Sequence, residues 1–211
     1  MQADKLLDDL TTLLELEGIT PTHPAYVSIE PLLYQAHSPR QILQTIRTIG
    51  EALNVENQAN DWVENQYERL NILAHKIKFV DPSLRPKVWY ITDFEDTNTI
   101  SPYWEEAIEL AGGISLPSIE QVSPLLADHL LIISQLPEVA IWSQLPAWIQ
   151  EQGLDMSEAI KQNQVTVIPV DAQWPAHGWD IAAQVEHLAE MLYPSFFAFG
   201  TPATPWVPFE F

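Results

Sequence analysis

The stretch Lys87–Gly113, KVWYITDFEDTNTISPYWEEAIELAGG, constrains the fold most. Val88-Trp89-Tyr90-Ile91 has the length and composition of a buried strand. An acidic, Thr/Asn-rich loop follows from Asp93 to Ser101, and Pro102 suits the first turn of a helix, where its missing N–H leaves nothing unpaired. Trp104, Ala107, Ile108 and Ala111 recur at helical spacing until Gly112-Gly113 ends the run. Strand, polar loop and helix in that order form the repeating unit of an open α/β sheet. Ligands of such sheets sit outside the carboxyl ends of the strands, which places the Asp93–Ser101 loop at a candidate site.

The rest of the chain supports this unit. Two further runs, Leu130–Ile133 and Val165–Val170, read as strands, and helical segments lie between them. Upstream, Leu6, Leu7, Leu10, Leu13 and Leu14 share one helical face. Tyr26–Ile29 reads as a short strand stopped by Pro31. Ser38-Pro39 opens a helix with Ile42, Leu43, Ile46, Ile49 and Leu53 inward, and a longer helix runs from about Glu56 to about Phe79. Ser118–Gln121 resembles a helix cap with its first turn, and the Pro-, Gln- and Trp-rich segment 134–148 reads as a loop with short helical turns. A final helix buries Ile181, Ala182, Val185, Leu188, Ala189 and Leu192. The expected fold class is therefore α/β: a Rossmann-like three-layer lobe with a parallel or mixed sheet, preceded by a helical segment with one long helix. The expected organisation is a helical segment over 1–80, the lobe over 81–198, and a Pro/aromatic tail over 199–211 that either offers Trp206, Phe209 and Phe211 to a partner groove or, the slightly favoured reading, folds back over the lobe.

Charge and cysteine content exclude several functions. A net charge of −20 with nine Lys and Arg argues against nucleic acid and anionic membrane surfaces as partners. No cysteine means no disulfide, thiolate metal site or thiol nucleophile. No apolar run approaches the roughly 20 residues a membrane helix needs. The acidic amphipathic start is not a signal peptide, so the sequence as it stands is expected to act in the cytoplasm. No P-loop, nucleophile elbow, HExxH or G-x-G-x-x-G is present, and an enzyme is not expected.

Tyr103-Trp104-Glu105-Glu106-Ala107-Ile108-Glu109-Leu110-Ala111-Gly112-Gly113 resembles the C-terminal lobe of the helical-backbone ABC-transporter solute-binding proteins, the cobalamin and ferric-siderophore type. Ile46-Arg47-Thr48-Ile49-Gly50-Glu51-Ala52-Leu53 is similar to the wording ahead of that family's long inter-lobe helix, and Leu188–Pro194 is similar to its closing helix. The resemblance runs from about Ala25 to Phe197. The chain departs from the family in lacking most of an N-terminal lobe and an export signal; an upstream lobe and signal would move the expected compartment to the periplasm. The loop Asp171–Trp179 also lacks the family's Asn and Arg-Pro-Gly-Pro.

The resemblance implies a non-enzymatic ligand-binding module whose solute is a corrinoid, haem or ferric chelate, with no cofactor of its own. The candidate ligand-binding residues are Asp93, Glu95, Trp104, Gln135, Trp174, His177 and Trp179. Flat aromatics suit a planar ligand, His177 could reach a bound metal, and the carboxylates could meet a cation, a metal or a partner's arginine. The alternative is that the carboxylates form a solvated loop and the Trp rings pack the lobe itself. A different class of function is a cytoplasmic interaction or scaffold protein that kept the fold, lost the solute and holds a protein partner. With most of the N-terminal lobe missing, the face of the Glu56–Phe79 helix that would pack on it needs another cover, and self-association into a homodimer is one solution.

Overall fold

The computed structural model describes residues 10–12, 14, 27, 29, 31–32, 36–95, 100–116, 123–134, 136–169, 180–199 and 207–208. After helical residues near the start, the elements are α1 (Pro39–Leu53), α2 (Glu56–Ile77), β1 (Lys87–Ile91), α3 (Pro102–Leu110), β2 (Ile114–Ser115), β3 (His129–Ser134), α4 (Glu138–Glu151), α5 (Glu158–Lys161), β4 (Val165–Pro169), α6 (Ile181–Leu192) and β5 (Val207–Pro208). The sheet order is β2-β1-β3-β4-β5. The first four strands are parallel, and β5 pairs antiparallel with β4 through Thr166↔Pro208 and Val167↔Val207. The sheet is therefore mixed, and the tail returns to its edge at Val207 and Pro208. A proline is tolerated there because an edge strand has one unpaired side.

Strand alternation divides the core in two. Val88 and Tyr90 of β1, Leu131 and Ile133 of β3, and Ile168 of β4 join the cluster built with α1, α2, α3 and α6. Trp89, Ile91, Leu130, Ile132, Val165 and Val167 join the opposite cluster with Ile141, Leu145, Trp148 and Ile149 of α4. Every residue of β3 is buried, as a central parallel strand covered on both faces requires.

Two expectations are overturned. Val27 and Ile29, the described residues of the expected Tyr26–Ile29 strand, are helical; Ile29 is buried and Val27 exposed, and the period of so short an apolar run does not separate helix from strand. Segment 134–148 is not a loop, because 14 residues from Glu138 to Glu151 form α4 with Pro146 inside it. Ile141, Leu145, Trp148 and Ile149 are all buried at helical spacing, and that packing outweighs the hydrogen bond the proline removes. The expected cap at Ser118–Gln121 lies outside the described residues.

The long helix is anchored at specific points. Gln66 is buried, and its Oε1 accepts the Ala182 N–H at 2.8 Å, capping the start of α6. Arg69 donates to both Glu186 oxygens, at 3.2 and 2.6 Å, and to Asp180 Oδ1 at 2.9 Å. That carboxylate also accepts the Ala183 N–H at 3.0 Å. Near the C-terminus of α2, Ile77 packs where a Cβ on Gly112 would stand, 2.9 Å from Ile77 Cγ2, and Gly112 has φ +89°. The Ala-Gly-Gly ending of α3 is thus a packing device on the long helix.

Gly112→Ala is expected to cost about 2–4 kcal/mol, combining the left-handed backbone penalty with overpacking on Ile77. Gly153 also has positive φ, +65°, but nothing lies within 4 Å of its added Cβ. Gly153→Ala should cost only about 1–2 kcal/mol. Urea denaturation of both variants checks the difference; equal losses would contradict it.

His129 lies at the start of β3, buried, with Nε2 2.9 Å from Thr166 Oγ1. Burial pulls its pKa from 6.5 down to about 4. Its neutral form is therefore the one that fits the fold. The unfolded chain binds the extra proton first, so stability present above pH 6.5 is lost as pH falls toward 4. His129→Gln removes this dependence. The difference in unfolding free energy between the protein and that variant should change by about 3 kcal/mol between pH 7 and pH 4. A pH-independent difference would contradict the burial of a neutral imidazole.

Candidate functional site

The carboxyl ends of β1 and β3 open onto a cleft of about 580 Å³ lined by Thr92, Asp93, Phe94, Glu95, Ser134, Leu136 and Gln144. Thr92–Glu95 follow β1, Ser134 ends β3, and Gln144 comes from α4. This is the edge of the sheet where an open α/β fold places its ligands.

The described residues of the loop after β1 are held at both ends by hydrogen bonds and ring contacts. Glu95 N–H donates to Asp93 Oδ1 at 2.9 Å, closing a tight turn that commits one Asp93 oxygen to the loop's own backbone. Trp148 Nε1–H donates to the Phe94 carbonyl at 3.1 Å. The Phe94 ring meets the Trp148 ring edge-on at 5.5 Å and 80°, while Trp148 stacks on Trp89 at 5.8 Å and 18°. At the far end, Tyr90 Oη accepts the Ser101 N–H at 2.8 Å and donates to the Ser101 carbonyl at 3.2 Å. Burial pushes the Tyr90 hydroxyl up to about 12, so it stays protonated and keeps donating at neutral pH. Across the cleft, buried Ser134 Oγ accepts the Leu136 N–H at 3.1 Å and turns the chain into α4.

The structure brings Asp93 and Glu95 together in the cleft wall, both exposed. Trp104 lies elsewhere. It is 5% exposed, in the core with Tyr103 edge-on at 5.3 Å, and so packs the lobe instead of forming its rim. Gln135, Trp174, His177 and Trp179 lie outside the described residues. Phe94 lies in the loop expected at the site but not among the candidate residues, and neither Gln144 in the cleft wall nor Trp148 behind it was expected. The signal for the last two was the helical spacing Ile141, Leu145, Trp148, Ile149, hidden by Pro137 and Pro146. Among the described residues, no group of three or more His, Asp or Glu side chains could hold a metal ion.

The fold is similar to that of ABC-transporter solute-binding proteins of solved structure, and the likeness read in the sequence holds at the level of the fold. An ABC-transporter substrate-binding protein from Listeria monocytogenes is similar over 76% of this chain and 66% of its own, with TM-score 0.65 and 13% identity. A periplasmic heme-binding protein from Pseudomonas aeruginosa is similar over 79% of this chain and 64% of its own, with TM-score 0.62 and 17% identity. IsdE of S. aureus, solved with heme, covers 75% of this chain and 66% of its own, with TM-score 0.57 and 15% identity. The chain thus spans less than two thirds of these proteins. No protein-family model and no curated protein matches the sequence.

Tyr90→Phe removes both contacts to Ser101 while keeping the ring. It should lower stability by about 1–2 kcal/mol and speed exchange of the Ser101 amide. Unchanged Ser101 protection would show that this end of the loop is held by something else.

Proposed function

We propose that the chain is a non-enzymatic ligand-binding module that captures a metal chelate of the corrinoid, haem or ferric-siderophore class in the cleft at the ends of β1 and β3. The observation that carries this reading is the position, size and lining of the cleft. Its volume of about 580 Å³ falls in the range of small-molecule sites. Its wall combines the Phe94 ring with oxygen acceptors on Asp93 and Glu95 and polar groups on Thr92, Ser134 and Gln144. The ring supplies apolar area against a flat macrocycle or aromatic chelate, and the polar groups orient it by hydrogen bonds. Two of the similar structures are described as heme-binding or heme-bound, which supports the solute class.

Calorimetric titration of the folded protein with a hydroxocorrinoid, haemin and a ferric hydroxamate tests the function. At least one should bind with micromolar or tighter affinity. Phe94→Ala should weaken that binding about tenfold, as expected for losing about 1.4 kcal/mol of ring contact. No heat from any of the three would overturn the solute reading and favour the interaction or scaffold protein.

A further inference from the structure

The two walls of the cleft are joined through one helix. α4 contributes Gln144 to the lining, and four residues later, on the same helical face, it presents Trp148. Trp148 does not line the cleft. Its ring is 5% exposed, held between the stacked Trp89 ring and the edge of Phe94. An indole has a single donor, and here it is spent on the Phe94 carbonyl at 3.1 Å, across 54 positions of sequence. The donor is as rigid as the core that holds the ring. The acceptor lies in the middle of the segment that carries Asp93, Phe94 and Glu95 into the cleft.

We infer that Trp148 is the positioning residue of this site: its N–H···O=C bond to Phe94 sets the distance between the Thr92–Glu95 wall and the α4 wall. The inference rests on the reading of the cleft as a solute site. It makes the wall a preformed surface, already held in its binding geometry before a ligand arrives, and it assigns different roles to two stacked tryptophans. Trp89 contributes buried area. Trp148 contributes buried area and a directional bond whose loss frees the loop without emptying the core.

Two conservative variants separate these roles. Trp148→Phe keeps an aromatic ring beneath Phe94 and removes the donor; Trp89→Phe keeps the donor and trims the ring on the other side of the stack. The readouts are the hydrogen-exchange rate of the Glu95 amide by NMR, the urea midpoint, and the affinity for haemin, the hydroxocorrinoid and the ferric hydroxamate. Trp148→Phe should accelerate Glu95 exchange about tenfold and weaken the bound chelate about tenfold. Trp89→Phe should shift the urea midpoint at least as far and leave Glu95 exchange and affinity within about twofold. The positioning role is overturned if Trp148→Phe leaves Glu95 exchange unchanged, or if both variants change exchange and affinity in proportion to their loss of stability. Faster exchange in Trp148→Phe alone, with none of the three chelates binding the unsubstituted protein, would uphold the positioning role and remove the solute reading.

Discussion

A central parallel strand buried on both faces is the constraint on which this structure depends. In β3 all six residues are inside, so the chain must supply apolar cover above and below the sheet. α1, α2, α3 and α6 meet one requirement, and α4 with α5 the other. With both faces closed, the strand ends are where polar loops can converge. At the carboxyl end those loops leave the cleft between Thr92–Glu95 and Ser134–Gln144. The position of the cleft thus follows from the burial of the sheet, and its lining from the few side chains the loops and α4 carry.

The long helix α2 is part of the same arrangement. Its Gln66 caps α6 and its Arg69 holds Asp180 and Glu186, so the start of α6 is fixed to α2 by hydrogen bonds to charged and backbone groups. Farther along, Ile77 fills the space left by Gly112 at the end of α3. Gly50 does the same for the α1–α2 crossing, where an added Cβ would stand 2.3 Å from that of Ala59. Gly112, which reads in the sequence as helix punctuation, is in the fold a point of close approach, as Gly50 is.

Much of the lobe was legible in the sequence because two signals agreed there. β1, β3, β4, α2, α3 and α6 each combine the right apolar period with capping or breaking residues at their ends. α4 was missed because Pro137 and Pro146 outweighed a clear Ile141, Leu145, Trp148, Ile149 spacing, and Gln144 was missed with it. The lining of the candidate cleft was only half legible. Asp93 and Glu95 follow from the strand-end rule, whereas Trp104 was placed on the rim although its spacing with Ala107, Ile108 and Ala111 put it on the buried face of α3. Phe94 and Trp148 are held together by a contact across 54 positions, which no local pattern encodes.

The central claim is that a solute binds at the carboxyl end of the sheet. The most direct test is amide chemical-shift mapping with a diamagnetic gallium analogue of whichever ferric chelate binds, or with the corrinoid. The account predicts shifts concentrated at Thr92–Glu95, Ser134 to Ala140 and Gln144, with little change along the outer face of α2. Shifts centred instead on Glu64, Glu68, Ile72 and His75 of α2 would contradict it.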